Sequence, residues 1–148
     1  MKTSELTGAA LDWAVAKIEY TNPVTIGSST LMVFKDVPFD YHPSTNWAQG
    51  GVIIEREGIS TWVFDDVTWK AENPFTSGVD QVFEGSTPLI AAMRCFVASR
   101  LEQAGLTAFE LPPDVADAYK AELARHEKYM KQRERWLKIS TELLEGER

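Results

Sequence analysis

Tyr41-His42-Pro43-Ser44-Thr45-Asn46-Trp47-Ala48-Gln49-Gly50-Gly51 runs directly into Val52-Ile53-Ile54-Glu55, and the division of this stretch between loop and regular structure decides the fold. From Ser44 to Gly51 it gathers two hydroxyls, two side-chain amides, an indole and a Gly-Gly pair, little of which a helix or strand needs. As a recognition loop, Ser44, Thr45, Asn46 and Gln49 would exchange hydrogen bonds with a ligand, Trp47 would offer a stacking face, and Gly50-Gly51 would let backbone come close. As a structured turn, Pro43 would fix φ, Ser44 or Asn46 would bond local backbone, and the glycines would supply positive φ. Turn chemistry and site chemistry draw on the same residues, so both readings stand at this level. Either way, Val52-Ile53-Ile54-Glu55 reads as a short buried strand and Glu55-Arg56-Glu57-Gly58 as a polar turn.

Before this stretch, a helix is expected from about Ser4 to Tyr20. Ser4 can cap it, Leu6, Ala10, Trp13, Ala14 and Lys17 recur at helical spacing, and Asn22-Pro23 ends it. Gly8 should weaken it unless a neighbour packs there, and Trp13 is a core residue or, in the sharper reading, a stacking platform. Val24-Thr25-Ile26 and Thr30 to Phe34 have strand composition, with Gly27-Ser28-Ser29 as a hairpin turn. Lys35 to Asp40 reads as a connection through Pro38, with Phe39 and Tyr41 as aromatic anchors.

After it, Ile59 to Phe64 and Val67 to Ala71 form a strand pair around Asp65-Asp66, the spacing of a two-residue hairpin. Glu72 to Gly85, with Asn73-Pro74 and Ser77-Gly78, reads as a long loop with a short strand near Val82-Phe83. Thr87-Pro88 then opens a helix whose apolar face carries Leu89, Ala92, Met93, Phe96, Val97 and Leu101, and Gly105 stops it. Gly85, Ser86 and Thr87 precede free backbone N–H groups at the positive end of that helix, so its start is either a cap alone or an anion site. Arg94, two turns along, is placed to serve the same anion or an acidic neighbour.

Leu111-Pro112-Pro113 introduces a different style. From about Asp114 to Leu144 the chain is a charged helix in which Leu123, Met130, Leu137 and Leu144 recur every seven residues, with Tyr129, Trp136 and Leu143 beside the last three. Tyr119, His126, Arg133 and Ser140 hold the alternate positions and are too polar for a self-sufficient coiled coil. The stripe therefore needs the body or a second subunit to pack against, and a homo-oligomer is expected.

Charge and composition exclude several classes. The net charge is −7; residues 1–113 hold seven Lys/Arg against fourteen Asp/Glu, and residues 114–148 hold eight of each. An acidic body and a balanced helix argue against duplex nucleic acid, which requires clustered basic residues, while leaving room for a small anion. No run is apolar enough to span a bilayer, and the start lacks a signal peptide, so no membrane partner and a cytoplasmic location in the bacterial host are expected. Cys95 is the only cysteine and reads as a packed thiol; His42 and His126 are the only histidines and sit far apart, so no metal centre or cofactor is expected. No Ser-His-Asp order, P-loop or convincing carboxylate pair points to a catalytic residue, since Glu55/Glu57 and Asp65/Asp66 read as turn and edge charges.

Three segments carry a resemblance: Ser4 to Ala16 (SELTGAALDWAVA), Pro43 to Gly51 (PSTNWAQGG) with Ile53-Ile54-Glu55, and Thr87 to Ser99 (TPLIAAMRCFVAS). Together they resemble the NinX-like family of small phage and prophage proteins. The resemblance covers about two thirds of the chain and implies phage origin more than an activity. Against that pattern Thr21 to Asp40 looks expanded and the last helix appended. The expected architecture is α+β: a small antiparallel sheet packed with two helices in a NinX-like domain (1–111), plus an appended charged amphipathic helix (112–148). The expected activity is sequestration of a nucleotide-like immune signal without turnover, as counter-defence. Trp47 would stack, Tyr41, Ser44, Thr45, Asn46, Gln49, Gly50 and Gly51 would shape recognition, and Ser86, Thr87 and Arg94 would take phosphate. Two other classes remain open: binding of a host protein through the last helix, and a nucleotide-processing enzyme.

Overall fold

The structure, a computed structural model, describes residues 1–20, 24–26, 29–34, 37–75, 81–106, 108 and 110–146, with backbone alone over 24–38 and at 122. A single 3-10 turn at Thr3–Glu5 precedes α1 (Gly8–Glu19). Ser4 therefore lies in that turn, and the residue before α1 is Thr7 in extended backbone, whose side chain makes no cap bond. Gly8 begins the helix at φ 49, a left-handed value that glycine tolerates and other residues resist, so the residue expected to weaken α1 is the one that lets the chain enter it. From Ala9 through Ala16 every residue of α1 is buried. Its alanines let α3, α4 and β2 approach, and a helix enclosed by neighbours must be apolar nearly all round. Trp13 is part of this packing, at 7% exposure.

β1 (Val24–Ile26), β2 (Ser29–Phe34) and β3 (Val37–Asp40) form one antiparallel sheet in chain order, paired Ile26 with Ser29 and Phe34 with Val37. The expected helix stop at Asn22-Pro23 and the turn residues Gly27-Ser28 lie outside the described residues. The segment expected to be a plain connection contains β3, and Pro38, which has no N–H to donate, is accommodated because β3 is an edge strand.

The largest departure from expectation is at Val52-Ile53-Ile54, which is not a strand: Trp47–Glu57 is helix α2. Its ends specify it. Asn46 Oδ1 accepts the Ala48 N–H at 2.9 Å as an N-cap. Gly58 sits in the left-handed region at φ 65, and Ile59 N–H returns to Ile54 O at 3.0 Å to close the last turn. The polar turn expected at Glu55 to Gly58 is thus the final turn and stop of a helix. Ile53 points inward, while Val52 is 57% exposed.

β4 (Ser60–Val63), β5 (Trp69–Glu72) and β6 (Phe83–Gly85) make a second antiparallel meander. Its first connection is wider than the expected two-residue turn, because Val63 pairs with Trp69 and Phe64 N–H bonds Thr68 O. Asp65 accepts the Val67 N–H inside that loop. Ser77-Gly78, expected in the next loop, lies outside the described residues, and the short strand expected near Val82-Phe83 is β6. α3 (Pro88–Gln103) crosses this sheet and also contacts α1 and α2. It begins and ends as expected, with Thr87 capping the Ile90 N–H and Gly105 at φ 71. Phe96, Met93, Val97 and Cys95 are buried in the core they share with Leu11, Val15 and Ile53, and burial pushes the Cys95 thiol up to about 11.

α4 (Pro113–Gly146) is the expected long helix. Its first turns dock on α1 through buried Val115 and Tyr119, and the Tyr119 hydroxyl donates to Glu5 O. Further along, Tyr129, Trp136 and Leu143 are exposed. The whole is α+β, with antiparallel sheet packed on helices and a long C-terminal helix.

Candidate functional site

The residues before α2 fold as a turn wrapped onto the helix they introduce. Thr45 and Asn46 N–H groups both bond His42 O, at 3.1 and 2.8 Å. Gln49 clamps the turn from inside α2: its Oε1 accepts the His42 N–H at 2.6 Å and its Nε2 donates to Asp40 O at 2.8 Å. A Cβ on Gly50 would stand 2.2 Å from Pro43 O and 2.7 Å from Leu89 Cδ2, so this glycine serves the close approach of turn to helix. Tyr41 is buried edge-on to Tyr20 and Phe39, and burial raises its phenol above the ordinary range. Asn46, Gln49, Gly50 and Tyr41 thus carry structural work within the chain. Trp47 is 56% exposed, with its ring over Gly51.

At the start of α3, the Thr87 hydroxyl is occupied as the cap. Arg94 turns away from the helix start: Nε donates to Leu6 O at 2.8 Å and Nη1 to Glu84 O at 2.7 Å. It ties the carbonyl end of the 3-10 turn to β6, and burial lowers its pKa, offset in part by Tyr119.

Asp12 joins these parts. On a helix that is otherwise apolar in its middle, this carboxylate is 3% exposed. Its Oδ1 accepts the Ser44 N–H at 2.9 Å, and its Oδ2 lies 3.4 Å from His42 Nδ1. Burial raises its pKa, opposed by Ser44 and His42. The Ser44 hydroxyl is itself buried and helps hold that pKa down, but meets no partner at full hydrogen-bond geometry. A carboxylate that anchors a turn and orients an imidazole is a recurrent feature of functional sites.

The imidazole opens on a cleft of about 710 Å³, within the range of small-molecule sites. Thr7 and the first turns of α1 (Gly8, Ala9, Asp12) line it, with His42 and Thr45 from the turn before α2, Ser86 from just before α3, and Leu123, Arg125 and His126 from α4. Thr45 and Ser86, from the two stretches singled out in the sequence, therefore meet at one cleft. The start of α1 at this cleft has no side-chain cap from Thr7 and no acidic residue in its first turn. Tyr41, Ser44, Asn46, Trp47, Gln49, Gly50, Gly51, Thr87 and Arg94 are not part of its lining.

Sequence reasoning missed Asp12, His42, Arg125 and His126. Asp12 had a readable signal, a lone carboxylate between Leu11 and Trp13 on a helix face that must be buried. The two histidines had none, because their meeting depends on how α4 docks. Among the described residues no three His, Cys, Asp or Glu side chains form a metal-binding group, and no helix is long and apolar enough to cross a membrane. No curated protein matches the chain. The family described as Bacteriophage P22, NinX, matches residues 2–100, from the 3-10 turn into the last turns of α3 and so across every element of the body that builds the cleft except α4; the chain belongs to that family.

Proposed function

We propose that this phage-family protein binds a nucleotide-like small molecule in the cleft between α1, the turn before α2 and α4, holds it without turnover, and so withdraws a host immune signal. The observation that carries the reading is the convergence of Thr45, Ser86 and His42 on a cleft of about 710 Å³. Hydroxyls and an imidazole suit the polar edges of a base or sugar.

Two other readings each have one observation in their favour. The Asp12–His42 pair has the form of an oriented general base, which favours a nucleotide-processing enzyme. The exposure of Tyr129, Trp136 and Leu143 along α4 favours a host protein partner, or self-association into a homo-oligomer. Native mass spectrometry of the full chain, purified from bacteria with an active nucleotide-signalling defence, separates them. An intact nucleotide at fixed ratio per subunit is the expected result. A cleaved nucleotide would replace the binder with an enzyme, and a bare protein or a bound host polypeptide would move the function to α4.

A further inference from the structure

We propose that α4 completes the ligand site, with Arg125 and His126 joining His42 as the groups that take a phosphate or similar oxyanion; this rests on the cleft being the ligand site. Both histidines of the chain line this one cleft, one from the family-matched body and one from beyond it. The acidic side chain at the cleft is already engaged, since Asp12 meets Ser44 N–H and His42 Nδ1. What remains to meet a ligand is the Arg125 guanidinium and the two imidazole rings, groups able to donate hydrogen bonds to an oxyanion.

The docking of α4 sets this placement. Val115 and Tyr119 are buried against the body and Tyr119 bonds Glu5 O, which fixes the rotation of the helix. Leu123 and His126 follow Tyr119 at the four- and seven-residue spacings of one helix face, so both are carried to the cleft. Arg125 Nε reaches the Ala121 carbonyl of its own helix, at 3.4 Å. Its guanidinium makes no ion pair among the described residues, and its planar fork suits an oxyanion. The appended helix is therefore a specificity element for the body it covers.

The test is titration of the full chain with inorganic pyrophosphate, followed by NMR of the histidine ring protons, which give two signals that His126→Ala assigns. Both signals should shift along one binding curve. Arg125→Ala should weaken that curve roughly tenfold, the value of one charge-assisted contact, while Arg135→Ala, further along α4, should leave it unchanged. The amide spectra of the variants check that they remain folded. If His42 alone shifts and neither Arg125→Ala nor His126→Ala alters affinity, the role of α4 is overturned and the cleft reading stands. If neither histidine shifts, both fail.

Discussion

Gly50 lies where α2 passes under the turn that precedes it, and its missing side chain is the condition for that contact. A Cβ at this position would stand 2.2 Å from the Pro43 carbonyl oxygen, so backbone and not a flexible side chain blocks the substitution. Gly50→Ala should cost about 1–3 kcal/mol through forced displacement of the turn, read as a lower urea midpoint with unchanged slope. The same change at Gly51, where the nearest atom is the Trp47 ring at 3.5 Å, should be neutral or stabilising. Asp12 poses the opposite problem, a buried carboxylate whose pKa is raised chiefly by desolvation. A group with a raised folded pKa binds its proton more tightly in the native state, so its contribution to stability is greatest below the ordinary carboxylate value and is lost as pH rises through the folded value. Asp12→Asn keeps an acceptor for Ser44 N–H and removes the charge. Relative to wild type, its urea midpoint should therefore improve as pH rises from the ordinary carboxylate range to neutrality; a flat difference across that range would show that the carboxylate is not desolvated in solution.

At the scale of elements, α2 shows how end signals override a short apolar run. Val52-Ile53-Ile54 has strand composition, but Asn46 and Gly58 cap a helix of eleven residues around it, and a capped helix satisfies its backbone without a neighbouring strand. α4 shows the reverse dependence. Its first turns are held by Val115 and Tyr119, and the rest is sustained by its own ladder and by pairs such as Glu127–Lys131 at 2.8 Å. Replacing Tyr129, Trp136 and Leu143 together by alanine should leave the thermal midpoint of the body unchanged, because those side chains are about two-thirds exposed. If the stripe is a self-association surface, the same variant should sediment as a monomer at concentrations where the wild type does not; identical sedimentation of the two would remove that role.

At the scale of the molecule, α1 and α3 form the frame on which everything else is placed. They contact each other, α3 covers β4, β5 and β6, and α1 receives β2 and α4. The ion pairs of Arg56 with Glu19 and Glu57, and of Arg100 with Glu57, join α1, α2 and α3 along one edge. The α+β class, the limits of α3 and α4, the buried Trp13 and Cys95, and the family itself were legible in the sequence, because caps, helical periodicity and ordered motifs are local properties of the chain. The helix at Trp47–Glu57 was less legible, since a three-residue apolar run is compatible with either period and its glycines act through contacts with Pro43 and Leu89 that are made only on folding. The candidate site was legible in part: the composition near Thr45 and Ser86 marked two places, but most of those polar groups bond the chain itself, and which ones face a cleft depends on hydrogen-bond partners far away. Asp12, His42 and His126 come from three separate elements, and the register of α4 on α1, set by buried side chains, is what brings the last of them to the other two. Local backbone preference and patterning thus determined the long helices and the second meander from sequence alone, whereas α2, β3, the cleft and the contribution of α4 to it were decided by tertiary packing, because a site formed by residues distant along the chain exists only once the surfaces between them are buried.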